Sequence, residues 1–172
     1  TAYEIRNCDW SSDVCSSDLN EISIDAKGRI STPARYRENF TNSNTSKLII
    51  TRDPQYPCLK IYPEASWQNL SITLQKMQSL DPVIRKLQWT ILGHASALDL
   101  DPSGRMLLLI PADLRTYAGI NVSEKVAFIG MGDKFEMWNL DSWQARQDAA
   151  QLSTEILEDR KSTCLNSSHS SV

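Results

Sequence analysis

The sequence contains the same charged turn twice, and this duplication constrains the fold more than any other feature. IDAKGRIS (residues 24–31) and LDPSGRML (residues 100–107) share the order apolar–Asp–x–x–Gly–Arg–apolar at an offset of 76 residues. PARYR then matches PADLR at an offset of 78, and LKIY matches FEMW at 76 again. Two extra residues within MLLLIP account for the slip, and an even insertion leaves the faces of a strand unchanged. Several matches in one order indicate two copies of one structural unit.

Each copy predicts two strands, a short helix and two further strands. EISID and ALDLD alternate apolar and polar residues, as half-buried strands do. The turn that follows contains a glycine, which can adopt the positive φ that a tight turn requires. A second strand then leads to Pro33 or Pro111, and proline suits a helix start because its missing N–H is not needed there. Gly119 predicts the end of the second helix. The strands KLIIT and CLKIY complete the first copy, and KVAFIG and KFEMW complete the second.

Longer helices are predicted after each copy. A stripe of apolar residues at helical spacing predicts the first of them: Trp67, Leu70, Leu74 and Met77. Asp81 as N-cap and Pro82 at the first position predict another helix, and a third begins at Trp143. We interpret the aromatic stripes as core or subunit-contact surface and not as a cofactor site.

The two ends of the chain differ from its middle. Residues 1–19 and 160–172 are rich in serine, lack apolar periodicity and hold three of the four cysteines. A disulfide framework is one interpretation of these cysteines. We favour the other, that both segments are non-native flanks, and exclude them from the functional argument. Cys58 lies in an apolar, strand-like run, which predicts a buried and unreactive thiol.

The distribution of charge is uneven. Residues 21–62 carry seven basic and four acidic residues, whereas residues 97–138 carry four and six, and residues 139–159 carry one and five. The net charge of the whole chain is −3, yet the first turn lies in a segment of net +3. A negatively charged partner is therefore expected at the first copy. No apolar run approaches the roughly 20 residues of a membrane span, and no secretory signal is visible. A cytoplasmic location without a membrane partner is expected.

The turn itself allows two interpretations. Asp–x–x–Gly–Arg makes a good β-turn, in which the carboxylate accepts hydrogen bonds from turn N–H groups and pairs with the arginine. The first copy also brings four basic residues within eleven positions: Lys27, Arg29, Arg35 and Arg37. Neutral donors accompany them: Ser31, Thr32 and Tyr36. Such a mixture suits phosphate contacts, and an arginine can read guanine with two donors. The second copy has Ser103 and Asp113 in place of two of these bases, so we expect it to be weaker for DNA.

No catalytic or metal site is predicted. His94 is the only histidine outside the flanks, and a structural role explains it more simply than general-base chemistry. Asp25 and Asp101 each have an arginine four residues later, so structural pairing explains them better than a pair of catalytic carboxylates. The sequence contains no metal-ligand spacing, P-loop, dinucleotide fingerprint or nucleophile elbow. We therefore expect no enzyme, no cofactor and no small-molecule substrate.

From about residue 22 to residue 159 the sequence resembles the MraZ family of bacterial transcriptional regulators. The resemblance is carried by IDAKGRISTPARYR, CLKIYPEASW, LGHASALDLDPSGRM, IPADLRTYAGI and KFEMWNLDSW. It implies a β-rich α+β fold, in which two tandem AbrB-like (SpoVT-AbrB, swapped-hairpin) β–β–α–β–β units form a pseudo-symmetric β-barrel core with additional helices. The expected segments are a first AbrB-like domain at 20–67, connecting helices at 68–95, a second AbrB-like domain at 96–143 and a C-terminal helix at 144–159.

The resemblance also implies a nucleoid-associated protein that binds double-stranded DNA as a ring-shaped homo-oligomer. Members of the family bind direct repeats in the promoter of the division and cell-wall gene cluster, and we expect repression to follow. Carried over by position, the DNA-contacting motif falls on the first turn: Asp25, Lys27, Gly28 and Arg29. Arg29 is expected to reach the DNA, with Arg35 and Arg37 adding charge nearby. The second motif, with a structural or auxiliary role, falls on Asp101, Gly104 and Arg105.

Two alternatives stay open. An AbrB-type antitoxin would also bind DNA and would use an acidic C-terminal tail to hold a toxin, although such antitoxins usually carry one copy of the unit per chain. A structural or protein-interaction ring would have no DNA role, and its turns would only be turns. The positive charge of the first copy favours the regulator, because a purely structural duplication has no need of it.

Overall fold

The computed structural model describes residues 19–37, 47–77, 80–99 and 107–150. The first half contains β1 (Leu19–Ser23), β2 (Arg29–Ser31), helical residues 34–37 (α1), β3 (Lys47–Arg52) and β4 (Cys58–Pro63). Two helices follow, α2 (Glu64–Lys76) and α3 (Pro82–Ile91). The second half contains β5 (Ser96–Asp99), β6 (Leu107–Leu109), α4 (Ala112–Tyr117), β7 (Lys125–Gly130), β8 (Phe135–Asn139) and helical residues 140–150 (α5). The predicted order of two strands, a helix and two strands is confirmed in both halves.

The strand pairing follows the duplication. All pairs are antiparallel, and the larger sheet has the order β1–β7–β8–β4–β3–β5, while β2 pairs with β6 in a second sheet. Replacing each strand by its counterpart in the other half reverses this order and leaves it otherwise unchanged. The register obeys the same relation, because Ile22 lies opposite Val126 and their counterparts, Leu98 and Leu48, lie opposite each other. Each half therefore lends its first strand to the other half, and the two copies interlock.

The predicted α+β fold is confirmed, but a closed barrel is not found among the described residues. The six-stranded sheet has β1 and β5 at its edges, and β2 and β6 form a separate two-stranded sheet. An isolated bridge between Ile24 and Ile30 joins the two strands of the first hairpin. The described strands are therefore two antiparallel sheets in place of the single barrel that the resemblance implied.

The main core lies between these sheets and contains equivalent residues from both halves. Ile30 of β2 and Leu108 of β6 are both fully buried, and they lie opposite each other at an offset of 78. Their neighbours pair symmetrically about this point, Arg29 with Leu109 and Ser31 with Leu107, so Ile30 and Leu108 occupy equivalent positions in the two halves. Tyr36 of α1 and its counterpart Leu114 of α4 are also buried. The even insertion has thus kept the inward face of the strand inward, as predicted.

The helix ends match the predicted signals. Asp81 caps α3, because its Oδ1 accepts a hydrogen bond from the Val83 N–H at 2.8 Å, and Pro82 follows at the first position. At the end of α4 the Gly119 N–H donates to the Thr116 carbonyl at 3.2 Å and the Ile120 N–H to the Arg115 carbonyl at 2.9 Å. With a φ of 64° at Gly119, this is a Schellman termination. No helix among the described residues has the length and apolar character that crossing a bilayer requires.

The predictions for Cys58, for His94 and for the apolar stripe of α2 have different outcomes. Cys58 is fully buried in β4, as predicted, and burial raises the pKa of its thiol because the thiolate is poorly solvated there. His94 has a structural contact, since its Nδ1 lies 3.0 Å from the carbonyl oxygen of Trp89. The apolar stripe of α2 is confirmed only in part: Leu74 is buried, whereas Met77 follows the helix and is 40% exposed.

Candidate nucleic-acid interface

A three-residue turn at 26–28 joins β1 to β2. The N–H of Asp25 donates to the carbonyl of Arg29 at 2.8 Å, and the N–H of Gly28 donates to the carbonyl of Asp25 at 3.0 Å. Gly28 has a φ of 80°, in the left-handed region that glycine enters without a steric penalty. This is the three-residue hairpin loop that closes with a glycine bulge. The predicted turn and its need for glycine are both confirmed.

The carboxylate of Asp25 organises this turn. Its Oδ1 accepts hydrogen bonds from the N–H groups of Lys27 at 2.9 Å and Arg29 at 2.8 Å, and its Oδ2 accepts from Nε of Arg29 at 2.8 Å. These hydrogen bonds favour the charged form, so the backbone N–H of Arg29 above all holds the pKa of Asp25 below its ordinary value. Both side chains of the pair are 39% exposed, so the pair adds little stability. Its main consequence is to fix the orientation of Arg29.

The remaining donors of the turn are available to a ligand. Asp25 occupies only Nε of Arg29, and neither Nη of Arg29 nor Nζ of Lys27 has a partner among the residues that the structure describes. Lys27 is exposed and Arg29 is half-buried. A guanidinium that is fixed at Nε and open at both Nη groups can donate two parallel hydrogen bonds to an anion or a base edge.

The structure brings Arg37 to the same side of β2 as Arg29. The Nε of Arg37 donates to the carbonyl oxygen of Thr32 at 2.9 Å, and its Nη2 donates to Oγ of Ser31 at 3.4 Å. Ser31 and Arg29 are two positions apart in β2, so they share a face of the strand. Arg35 is exposed on the adjacent helical residues, with its guanidinium carbon 5.0 Å from the centre of the Tyr36 ring.

Two of the predicted neutral donors do not belong to this surface. Thr32 is fully buried, and Tyr36 is 7% exposed. The Tyr36 ring packs against Phe128 and Phe135, with ring centres 5.9 and 4.9 Å away. The prediction that Thr32 and Tyr36 would face a ligand is therefore wrong: Thr32 is buried just before α1, and α1 turns the Tyr36 ring toward the core.

One basic residue beside the first turn was not singled out from the sequence. Arg115 of α4 lies so close to Gly28 that an added Cβ would be 3.1 Å from its Cζ. The N–H of Ile110 donates to the Gly28 carbonyl at 2.9 Å, and Nε of Arg115 donates to the Ile110 carbonyl at 3.2 Å. The alignment of PARYR with PADLR makes Arg115 the counterpart of Arg37, and this correspondence was the sequence signal that could have identified it. Sequence alone could not show that α4 of the second half reaches the turn of the first.

The second motif cannot be compared directly, because Asp101, Gly104 and Arg105 lie outside the described residues. Its neighbour Asp113 is described, and its exposed Oδ2 lies 3.9 Å from Nη2 of Arg52. The helix of the second half thus presents a carboxylate where the first half has Arg35. Among the described residues, no group of three or more histidine, cysteine, aspartate or glutamate side chains could hold a metal ion.

Comparison with known proteins agrees with this arrangement. The family model of MraZ proteins, which its description likens to antitoxins, matches residues 17–89 and again residues 91–164. A protein of Coxiella burnetii named Transcriptional regulator MraZ is 42% identical over 131 residues, which is 76% of this chain and 84% of the relative. Proteins of the same name from Marinomonas sp. and Salmonella paratyphi B are 37% and 38% identical over 141 and 143 residues. These matches cover 82% and 81% of this chain, and 90% and 91% of the two relatives. The chain therefore belongs to the MraZ family.

Proposed function

We propose that this protein is a sequence-specific, DNA-binding transcriptional regulator, present in the cytoplasm with the nucleoid. The relatives that match it over most of their length are named transcriptional regulators. The observation that carries the proposal is the first turn, where Asp25 holds Nε of Arg29 and leaves both Nη groups open. By occupying direct repeats in the promoter of the division and cell-wall gene cluster, the protein would act as a repressor.

The residues of the turn have different roles in this proposal. Arg29 has the two parallel donors that match O6 and N7 of guanine in the major groove. Lys27, Arg35 and Arg37 supply positive charge for phosphates, which position the protein and make its affinity depend on salt. Asp25 and Gly28 set the conformation of the turn and need not touch DNA. The second motif serves the fold or the assembly.

We also propose that the two interlocked copies are AbrB-like domains with the boundaries expected from the sequence. The support is the exchange of first strands, since β1 pairs with β7 and β5 pairs with β3. Such a pairing is what a swapped hairpin requires.

We propose further that the active form is a ring-shaped homo-oligomer. One turn makes few contacts, whereas several turns on one assembly raise affinity through effective concentration. Three apolar side chains at and within α3 are more than 60% exposed and would gain from burial against another copy: Leu80, Val83 and Trp89. Light scattering after size exclusion tests this, because Trp89→Glu should lower the mass of the assembly. A monomeric wild-type protein would contradict the ring.

A direct test of the DNA-binding proposal uses Arg29→Ala and a labelled fragment that contains the promoter repeats. We expect binding about 10- to 100-fold weaker, since a bidentate contact contributes about 1–3 kcal/mol. Lys76→Ala is the control, because Lys76 is an exposed base on α2 and belongs neither to the turn nor to the apolar face of α3. Anisotropy at two salt concentrations gives the affinity and the salt slope. Unchanged values for Arg29→Ala would remove that residue from the interface.

The antitoxin alternative receives one specific support, the description that likens the family to antitoxins. It predicts that a toxin co-purifies with the chain through its C-terminal segment. A structural ring without a DNA role predicts no retention on heparin at moderate salt and no binding to the promoter fragment.

A further inference from the structure

We propose that Arg115, a residue of the second half, is part of the phosphate-contacting surface of the first turn. This inference rests on the proposed DNA-binding function and assigns to it a residue that neither the family match nor the sequence motif identifies. Each contact surface would then be a composite of both halves of the chain, with the turn from one half and a helix arginine from the other.

The position of Arg115 is fixed by the backbone of the turn. Ile110 connects the two groups, because its N–H donates to the Gly28 carbonyl at 2.9 Å while its own carbonyl accepts from Nε of Arg115 at 3.2 Å. A Cβ on Gly28 would lie 3.1 Å from both Cζ and Nε of Arg115 and 3.2 Å from its Nη2. The guanidinium therefore covers the α-carbon of Gly28, which stands between Lys27 and Arg29 in the chain.

The guanidinium keeps donors for a ligand. Its described hydrogen bond uses Nε, and no carboxylate among the described residues lies within ion-pair distance of it. The side chain is half-buried, so its position is restricted while its end reaches the surface. Arg52, by contrast, already has an acidic partner. Its Nη2 lies 3.9 Å from Oδ2 of Asp113, and its guanidinium packs on the Tyr117 ring.

The charge around the turn points to an anionic partner. Three basic residues belong to this part of the surface: Lys27 and Arg29 flank Gly28 in the chain, and the Arg115 guanidinium packs on Gly28, whereas Asp25 supplies the carboxylate that pairs with Arg29. Like charges in such proximity repel one another and weaken the folded state unless an anion lies among them. Phosphate oxygens meet this need and are the sequence-independent part of any duplex. An arginine that is fixed through Nε would donate to them with little loss of side-chain entropy.

The experiment measures promoter binding by the full-length protein and two variants of Arg115. Arg115→Gln removes the charge but keeps a polar side chain, and Arg115→Lys keeps the charge. We expect Arg115→Gln to weaken binding several-fold and to lower the salt slope by about 0.9 for each engaged turn, because one phosphate contact is lost. Arg115→Lys should retain the wild-type slope. Thermal unfolding of each variant establishes that the fold is kept.

Each outcome separates this inference from the broader function. If Arg115→Gln leaves both affinity and slope unchanged while Arg29→Ala abolishes binding, Arg115 is not a contact and the regulator proposal stands. If Arg115→Gln weakens binding without changing the slope, the residue only positions the turn, and the phosphate contact is refuted. If the wild-type protein does not bind the fragment, the proposed function itself fails.

Discussion

The two halves of this protein share their internal contacts and differ in their charged surface. Arg37 donates from Nε to the carbonyl of Thr32 at 2.9 Å, and its counterpart Arg115 donates from Nε to the carbonyl of Ile110 at 3.2 Å. Thr32 and Ile110 each precede the proline that stands directly before the helix, so the same hydrogen bond is present in both copies. The contacts that close the unit have survived the duplication.

The charged groups have diverged. Asp53 is buried in the first half, where its Oδ2 lies 2.6 Å from Nζ of Lys60. The corresponding positions of the second half hold Met131 and Glu136, and Glu136 instead accepts a hydrogen bond from the Trp138 indole at 3.0 Å. The two halves therefore differ in charge at positions that correspond in the fold.

Loss of Lys60 should have the largest effect on stability. Lys60→Met leaves the Asp53 carboxylate buried with only the N–H groups of Gln55 and Tyr56, and removing one partner of a buried pair costs about 3 kcal/mol. Glu136→Met is the matched change in the second half: it removes the acceptor of the Trp138 indole and should cost about 1 kcal/mol, the loss of one ordinary hydrogen bond. Urea unfolding measures both. Equal costs would show that the halves do not differ in this respect.

The same pair has a defined dependence on pH. Burial alone would lower the pKa of Lys60, but the hydrogen bond and the charge of Asp53 raise it above its ordinary value. A raised pKa means that the stabilisation is complete below the pKa of the unfolded state and is lost as pH rises through the folded pKa. The pair should therefore persist through neutral pH and contribute less only in strongly alkaline solution.

The contact between Arg115 and Gly28 should make alanine more destabilising at Gly28 than at Gly132. Gly28 and Gly132 both have a φ of 80°, but only Gly28 has a neighbour, Arg115, within 4 Å of an added Cβ. A non-glycine residue with a positive φ destabilises the folded state by about 1–3 kcal/mol. We expect the loss of unfolding free energy to be about 1 kcal/mol greater for Gly28→Ala than for Gly132→Ala. In an Arg115→Gln background the shorter side chain should reduce this difference in unfolding free energy. An unchanged difference would mean that Arg115 does not crowd Gly28.

The sequence predicted the local structure because its signals are local. The glycine of the turn and the caps at Asp81 and Gly119 each depend on neighbours within a few residues, and each was confirmed. The exchange of strands and the approach of Arg115 to Gly28 join residues that are 46 to 110 positions apart in the chain, and no periodicity encodes such a contact. Thr32 and Tyr36 are a further example. Their hydroxyl groups suggested donors for a ligand, but tertiary packing buries both side chains.

Lys27→Ser should make the first turn resemble the second copy, which has Ser103 at this position. The N–H of residue 27 still donates to Asp25, so the turn should be kept while one exposed positive charge is lost. We expect a several-fold weaker affinity, and a salt slope lower by about 0.9 for each engaged turn. Lys76→Ser on α2 is the control with the same change of charge. A wild-type slope for Lys27→Ser would show that DNA does not distinguish the two copies by this residue.

The smallest expected effect is the acid titration of Asp25. Because its hydrogen bonds hold its pKa below the ordinary value, Asp25 stabilises the folded state above the pKa of the unfolded chain, and the contribution is lost as pH falls through the folded pKa. Asp25→Asn cannot titrate, so it should lose less stability than the wild type between pH 5 and pH 2, as measured by urea unfolding. The carboxyl resonance of Asp25 in NMR should also titrate at a lower pH than that of an unstructured aspartate. An ordinary midpoint would mean that the carboxylate does not hold Arg29 in solution, and the fixed orientation proposed for the Arg29 guanidinium would then fail.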